Sequence, residues 1–514
     1  MKKYISLFAI TLCFSGIQAQ DIADAYRYSQ DNPNGTARFR AMGGAFGALG
    51  GDLSAITVNP AGSVVFANNQ ISVTASNFNT KNNSNYFGTN TSKNKNSLNL
   101  NQFGGVFVFE NDTENSPWKK IAIGINYENV SSFENSLFSA GANNNSIDNY
   151  FLSYAKGLKL SIVDGHDYAY GDLTFREQQA YLGYKAFIIN QSATYNDNTN
   201  RSYVSLVPSG GNYYQTNTTQ TSGYNGKLTF NAATQYKNIL MIGINLNTHF
   251  TDYRRSNLFT ENNNNNTSPV NYLVKKINFN NDLYTYGSGF SFQIGAIVKP
   301  IKEIRLGLAY QSPTWYKLND ELIQSISANS STINNSLNTD IIDPKTTMVY
   351  APYGLQTPGK LTGSFAYIFG KKGLFSIDYS VKNYSKAQFT PKNEFMKSAN
   401  NPDNNPDNDT DNDISNLLQK SGELRLGAEY KIKQWSLRGG YHFEQSPYKN
   451  KKIVGDSNGY SGGIGYNFGG TKLDLAYSLS KRTSNQSFFA QGLTDAAQIN
   501  TTKNNVTLTL AFEL

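Results

Sequence analysis

N-N-V-T-L-T-L-A-F-E-L, residues 504–514, decides the fold. Val506, Leu508, Leu510, Phe512 and Leu514 fall on one face of an extended chain, and Asn505, Thr507, Thr509, Ala511 and Glu513 on the other. Side chains alternate across a strand with period two. A strand apolar on one face, polar on the other and ending on the last residue has the pattern of a closing outer-membrane barrel strand. The first residues agree. Lys2 and Lys3 precede an apolar run from Ile5 to Ile17, and Ile17-Gln18-Ala19 offers a cleavage site before Gln20. Residues 1–19 are therefore predicted to be a signal peptide.

Beyond that leader, no stretch approaches the ~18 consecutive apolar residues of a membrane helix. This excludes a helical membrane protein but not a barrel, because half of each barrel strand is polar. The 34 Tyr and 31 Phe against 3 Trp suit strands and membrane-interface girdles. The single cysteine, Cys13, lies in the leader after Leu12, so the exported chain is expected to carry no thiol and no disulfide. Net charge is +8. The basic residues are scattered, with no run of nucleic-acid type, and no nucleic-acid partner is expected.

About fourteen alternating segments are predicted between residues 70 and 514, an even number as single-chain bacterial barrels require. The first three are Gln70–Asn79, Leu98–Glu110 and Lys119–Ser131; the seventh is Ile304–Tyr316. Short links such as Lys237-Asn238 and Lys433-Gln434 alternate with long ones at 132–221, 256–282, 317–354, 386–420 and 482–503. That is the asymmetry of periplasmic turns and extracellular loops. Ile121, Ile123 and Ile125 form one outward face; Ile242, Ile244 and Leu246 form another. Asn126, Glu128, Asn245 and Asn247 then face the lumen. Tyr150, Phe151, Tyr181, Leu182, Phe187 and Ile188 enrich the 132–221 loop. They either wall a hydrophobic groove or pack together as a cap.

Residues 20–69 do not alternate. Arg40 to Ser63 reads R-A-M-G-G-A-F-G-A-L-G-G-D-L-S-A-I-T-V-N-P-A-G-S, and its glycines permit close packing and tight bends. Gly44–Ala48, Asp52–Ala55 and the Asn59-Pro60-Ala61 triplet resemble the N-terminal hatch of the FadL/TodX family, outer-membrane transporters of long-chain fatty acids and other hydrophobic compounds. The likeness is close only over about residues 38–66 and extends to the whole chain in architecture. It implies a barrel plugged by the hatch, a groove among the extracellular loops and an apolar pocket in the lumen. It also implies an inward kink in the third strand that opens a lateral gap, with Gly124, Asn126, Glu128 and Asn129 as the kink candidates. Gly124 reads equally as a lumen position that needs no side chain. The Asn59-Pro60 turn is expected to pack against the wall near the third strand.

Other motifs are weaker. Gly459-Tyr460-Ser461-Gly462-Gly463 satisfies G-x-S-x-G, but the hydrolase motif needs a strand–turn–helix elbow, and this one opens a barrel strand. Asp403, Asp407, Asp409, Asp411 and Asp413 alternate with Asn as in calcium loops. They lack the EF-hand Gly and terminal Glu and read first as a solvated acidic loop. His166, His249 and His442 show no zinc spacing; His166 would be the haem-ligand candidate.

The expectation is therefore an all-β transmembrane antiparallel barrel of about 14 strands. Residues 1–19 are the signal peptide, 20–69 the hatch in the lumen, and 70–514 the barrel, with long extracellular loops at 132–221, 317–354 and 386–420. It acts as a passive outer-membrane channel for hydrophobic, fatty-acid-like molecules. It has no catalysis, no cofactor and no firm metal site, Asp407, Asp409 and Asp411 being weak calcium candidates. Its partners are a hydrophobic ligand and outer-membrane lipid, and it is a monomer in a Gram-negative outer membrane. The alternative is a barrel of a secretion or surface-assembly machine, binding protein cargo at the extracellular loops.

Overall fold

The computed structural model describes residues 22–113, 116–192, 201–267, 272–332, 337–390 and 410–514. Fourteen strands form a closed antiparallel barrel. They are β1 (Gln70–Tyr86), β2 (Thr89–Glu110), β3 (Trp118–Ser132), β4 (Tyr213–Tyr236), β5 (Leu240–Asn262), β6 (Tyr272–Val298) and β7 (Ile304–Gln311). The ring continues through β8 (Lys360–Phe369), β9 (Gly373–Asn383), β10 (Lys420–Ile432), β11 (Trp435–Glu444), β12 (Val454–Asn467), β13 (Thr471–Ser487) and β14 (Ala496–Glu513). β14 closes on β1 from Gln70↔Glu513 to Asn85↔Gln498, so the barrel has no free terminal edge.

Alternation does what the closing strand promised. Val506, Leu508 and Phe512 are exposed on the outer wall, whereas Thr507, Thr509 and Ala511 are buried inside. Ile121, Ile123, Ile125, Ile242, Ile244 and Leu246 continue the exposed apolar band. At the end with short links, rings pair along its rim, as in Trp118–Tyr236 and Trp435–Tyr466 at 5.2 and 4.7 Å. Amphipathic rings favour such interfaces.

The strands run further than the apolar pattern. β1 and β2 extend past Asn79 and Leu98 to meet at Phe87-Gly88, both at positive φ, the requirement of a two-residue hairpin turn. Apart from Tyr86-Phe87-Gly88 at the turn, residues 80–97 are Asn, Thr, Ser and Lys on both faces, so hydrophobic periodicity vanishes while the backbone ladder continues. Similarly, 317–354 is not a loop. Trp315–Thr332 continues β7 past Ser312-Pro313-Thr314 and pairs with β6, Leu337–Ile342 and Tyr353–Gln356. Pro313 cannot donate to a ladder; Ser312 instead donates its N–H to the Phe292 carbonyl and accepts from the Phe292 N–H.

The long 132–221 connection is a packed cap, not an open groove. Helices Asp148–Ala155 and Phe175–Lys185 bury Ile147, Phe151 and Leu182 against Phe259, Ile277 and Phe279 of β5 and β6. Thr174 and Glu177 form a reciprocal capping box at the start of the second helix.

Candidate functional site

The lumen is filled by residues 22–66, which make α1 (Ile22–Ser29), α2 (Ala37–Ala41), α3 (Ala55–Val58) and a 3₁₀ turn at Pro60–Val65. Two glycines, Gly50 and Gly51 at φ +62° and +64°, reverse the chain between the two halves. Asp52 is the hub. Its carboxylate accepts from Thr36 Oγ1 at 2.8 and 2.9 Å and from the Ser54 N–H at 2.9 Å. Burial pushes this carboxyl above its ordinary value against the opposing pull of Arg38 and these donors.

Asn59, Pro60 and Ala61 are all buried. Asn59 caps the 3₁₀ turn by accepting the Ala61 N–H, and its Nδ2 donates to the carbonyls of Gly47 at 2.7 Å and Ala296 at 3.0 Å. The Pro60 carbonyl accepts from Asn231 Nδ2 at 3.0 Å. The triplet is thus stitched to β4, β5 and β6 rather than chiefly to β3, because the wall is hollowed there. A Cβ on Gly243 would fall 2.5 Å from the Pro60 carbonyl carbon, and one on Gly295 would overlap the Asn59 amide. On the opposite wall, a Cβ on Gly427 would lie 2.6 Å from the Met42 carbonyl oxygen, and one on Gly440 would overlap Gly43. These wall glycines escaped the sequence reading. Their signal is glycine at a lumen position between outward apolar residues, as in I-G-I at 242–244 and I-G-A at 294–296.

Charge completes the fit. Arg38 meets Glu429 at 2.8 Å, Arg438 meets the same carboxylate at 2.7 Å, and Arg438 reaches Asp474 at 2.5 Å. Asp378 accepts the Gly47 N–H at 2.9 Å. Asp31 lies between Lys382 and Lys360, at 2.5 and 3.0 Å. Burial works to raise the Asp31 carboxyl, but the two ammonium groups prevail and hold it well below the usual carboxylate range.

Asn59→Ala is expected to loosen residues 22–66 by about 1–3 kcal/mol, the penalty for orphaning buried partners. Limited proteolysis of that segment should accelerate while the barrel's heat-modifiable mobility is unchanged. Unaltered proteolysis would show that the Asn59 bonds are dispensable.

Beside this segment the ladder of the wall is interrupted among the described residues. β2 and β3 pair from Glu110↔Lys120 to Gln102↔Glu128, and there the ladder ends. Above it β3 pairs only with β4, with a register shift between Asn129 and Ser131. The next segment, Asn135–Asn143, crosses behind β1, where Asn82 Nδ2 donates to the Ser136 carbonyl at 2.8 Å and Ser84 meets Ser139 at 2.6 Å. Among the described residues only side chains span the break. Lys95 pairs with Glu134 at 3.2 Å, Asn99 approaches Ser132 at 3.4 Å, and Thr91 donates to the Phe138 carbonyl. Asn34 Nδ2 caps the carbonyls of Asn129 at 2.8 Å and Val130 at 3.0 Å.

Of the kink candidates, Asn129 is at the break and Glu128 is its last paired residue, tied to Lys227 at 3.1 Å. Asn126 is buried and paired on both sides. Gly124 also sits within both ladders, opposite Val106 and Asn231. A Cβ there would make only ordinary contacts with Asn231 and Ile56, at 3.5 and 3.6 Å, which favours the reading as a small lumen position.

Behind the break lies a cavity of about 60 Å³, lined by Asp31, Asn34, Glu128, Lys227, Lys360 and Lys382 among others. It is polar, whereas the family resemblance implied an apolar lumen pocket. The aromatic side chains of the upper lumen, Tyr28, Tyr316, Tyr353 and Phe389, are packed together instead.

The remaining motifs find other uses. Ser461 sits inside β12, donates to the Ala41 carbonyl at 3.0 Å and accepts the Gly43 N–H at 3.2 Å; no strand–turn–helix elbow surrounds it. His442 meets Glu423 at 2.7 Å, His249 meets Ser291 at 2.8 Å, and His166 is exposed beside Asp167. Asp403, Asp407 and Asp409 lie outside the described residues, and Asp411 and Asp413 fall in the helix Thr410–Leu417. Among the described residues no cluster of His, Cys, Asp or Glu is arranged to hold a metal.

A closed fourteen-strand barrel with an apolar outer band and a filled lumen defines an outer-membrane protein. Residues 214–513 match the family described as outer membrane protein transport protein (OMPP1/FadL/TodX), and the chain belongs to that family. It is accordingly a protein of the Gram-negative outer membrane. Its fold is similar to that of a Pseudomonas aeruginosa FadL homologue, at 12% identity and TM-score 0.55, over 94% of this chain and 99% of that one. It is similar also to the P. putida toluene transporter TodX, at 12% identity and TM-score 0.50, over 94% and 99% of the two chains. No curated protein sequence matches the chain.

Proposed function

We propose that the protein is a passive, monomeric channel for hydrophobic, fatty-acid-like molecules, which leave the lumen sideways into the membrane between β2 and β3. Residues 20–69 act as the hatch, with Asn59, Pro60 and Ala61 as its anchor. Asn129, with Asn126 and Glu128 below it, forms the inner lip of the exit. The observation that carries this reading is the end of the β2–β3 ladder at Gln102 and Glu128. The outer wall beside it is still apolar, with Leu98 and Leu100 exposed at 78% and 52%. Unpaired backbone groups are costly in hydrocarbon, so a break at this depth needs partners for its freed carbonyls, and Asn34 supplies them to Asn129 and Val130. The similar P. putida protein is named a toluene transporter, which agrees with a hydrophobic cargo. The protein-cargo alternative rested on loops at 317–354 and 386–420, and the first of these is a strand hairpin paired into the wall. No reaction and no cofactor are assigned, since Ser461 and the buried histidines are engaged in packing the lumen.

The test is a lock across the break. Asn99→Cys and Ser132→Cys, with Cys13 replaced, leave only the introduced thiols to pair, directly or through a short bis-maleimide. Uptake of a radiolabelled fatty acid by cells carrying the locked protein is expected to fall to the level of cells without it, and reduction of the disulfide should restore it. Full uptake through a verified crosslink would mean passage straight through to the periplasm.

A further inference from the structure

The outward faces of three neighbouring strands change character at one level. On β6 the outward residues Ile294, Phe292 and Phe290 are followed by Ser288, Tyr286 and Tyr284. On β5, Leu246, Thr248 and Phe250 give way to Asp252 and Arg254. On the continuation of β7, Trp315 gives way to Lys317 and Asn319. Ladder register puts Phe250, Ser288 and Lys317 in one row, and Asp252, Tyr286 and Asn319 in the next. The climb from Val298, at the short-link end, to Ser288 is about 25 Å at ~3.3 Å per residue and a tilt of about 40°. That is about the height of a barrel's whole apolar band. The Ser288 row therefore marks the outer surface of the lipid, where head groups lie.

An open groove of about 590 Å³ sits on this row, lined by Tyr224, Phe250, Asp252, Tyr286, Ser288 and Lys317 among others. Ser288 is its floor. Gly226, the β4 partner of Phe250, has no side chain, and the Phe250 ring leans over it: a Cβ there would fall 2.3 Å from that ring. Tyr127 and Tyr224 hold the leaning ring, each at 6.1 Å, the first stacked and the second edge-on. Tyr284 and Tyr286 stack at 4.9 Å as the second wall. All these side chains point away from the hatch, so the groove opens outward only.

Its charge is uneven. Asp252 and Arg254 face each other at 3.6 Å, Arg254 lies over the Tyr284 ring at 4.0 Å, and Tyr284 donates to Asp252 at 2.9 Å. Glu321 stands higher up, opposite Tyr284 in the ladder. Lys317, on the lowest row, is exposed, and among the described residues no carboxylate pairs with it. The unmatched cation is thus the charge nearest the lipid.

We propose that this groove binds one lipid of the outer leaflet, with a phosphorylated sugar head group in the groove and the acyl chains on the wall below it. Lys317 takes the phosphate as a charge-assisted hydrogen bond. Phe250 and Tyr286 offer broad apolar ring surface to the flat face of a sugar, and Asp252 and Asn319 have acceptors for its hydroxyls. The chains run down over Phe290, Trp315 and Leu246, which are exposed directly beneath. An interfacial aromatic belt by itself requires neither a bare serine floor between its rings nor an unmatched lysine. The site is independent of the sideways exit, because no residue of the β2–β3 break lines it.

The experiment titrates the full-length barrel, in a neutral detergent, with a bisphosphorylated diglucosamine lipid and counts bound lipid by native mass spectrometry. One tightly held lipid per barrel is expected. Lys317→Gln should weaken it about tenfold, the scale of losing a charge-assisted hydrogen bond, and Lys317→Arg should keep it. Lys371→Gln, in a short turn at the far end of the barrel, should bind as the parent does. Ser288→Trp fills the floor and should abolish the tight adduct, although it adds a ring that favours the interface. Dephosphorylated lipid should bind the parent no better than it binds Lys317→Gln. Phosphatidylglycerol, which has the phosphate and no sugar, should bind weakly and be indifferent to Tyr286→Ala. Heat-modifiable mobility shows that each variant is folded. If Lys317→Gln and Ser288→Trp both bind like the parent, or Ser288→Trp binds more lipid, the face is an aromatic belt only and the proposal is overturned. A polypeptide that copurifies with the parent and is lost from Ser288→Trp would overturn it in favour of a protein partner.

Discussion

Deletion of residues 20–66 is expected to leave a folded, heat-modifiable barrel that conducts ions in planar bilayers where the intact protein does not. None of the fourteen strands lies in the deleted stretch, and the β1–β14 closure begins at Gln70. Lys360 and Lys382 lose Asp31 and take water in its place, but other lumen charges keep partners on the wall. Glu429 keeps Arg438, and Arg438 keeps Asp474, while Asp378, Thr509 and Asn231 exchange their bonds to residues 37–60 for water. Eight-stranded barrels are filled by their own side chains and those of 16–18 strands hold open water; here glycines stand where wall side chains would otherwise fill the space. Gly295→Leu is expected to give the same conducting phenotype with residues 20–66 still present, because the new side chain takes the place of the Asn59 amide. An unchanged conductance in both variants would show that these residues do not plug the barrel.

The second large effect lies on the other face of the wall. Leu508→Arg is expected to destabilise the barrel by about 2–4 kcal/mol, the penalty for a cation near the bilayer midplane, read as a lowered urea midpoint for refolding into lipid vesicles. Leu508 is exposed between Leu475 and Ala75 of the adjoining strands. Its neighbour Thr509 points inward and is not a tolerant site. It meets Thr74 at 2.7 Å and accepts the Ala37 N–H at 2.7 Å. Thr509→Arg is therefore expected to spare the urea midpoint and unseat α2, with increased conductance. Equal urea midpoints for the two variants would reject this register.

What was legible in the sequence follows from what has a period. The outward faces of β3, β5 and β14 announce themselves because lipid demands apolar residues at every second position. Asn59-Pro60-Ala61 stood out by its resemblance to a family hatch, and in the fold it is an Asn cap followed by Pro at the first turn position. Where the inward face is polar, as at Thr80, Asn82 and Ser84, or mixes Asp320 and Gln324 with Leu318, Leu322 and Ile326, the hydrophobic period weakens although the ladder persists, and strands read as loops. Asp31, Lys360 and Lys382 were invisible for a different reason. They are some 330 to 350 residues apart and meet only because the barrel closes around the segment that carries Asp31. A kink in β3 was expected from a resemblance and from Gly124; β3 itself is continuous, and what ends is its ladder with β2. The residue that marks it is Asn129, whose freed carbonyl is capped by an asparagine nearly a hundred positions earlier.

The long strands have a consequence of scale. β6 is 27 residues, about 90 Å along the chain at ~3.3 Å per residue, and a tilt of about 40° still leaves close to 70 Å of height. The apolar band of such a barrel is about 25 Å tall. Tens of ångströms of paired, polar wall must stand clear of the membrane. The capped end is thus carried tens of ångströms beyond the lipid surface, and a molecule admitted there would travel inside protein before meeting lipid. Height, as much as bore, is what this wall supplies.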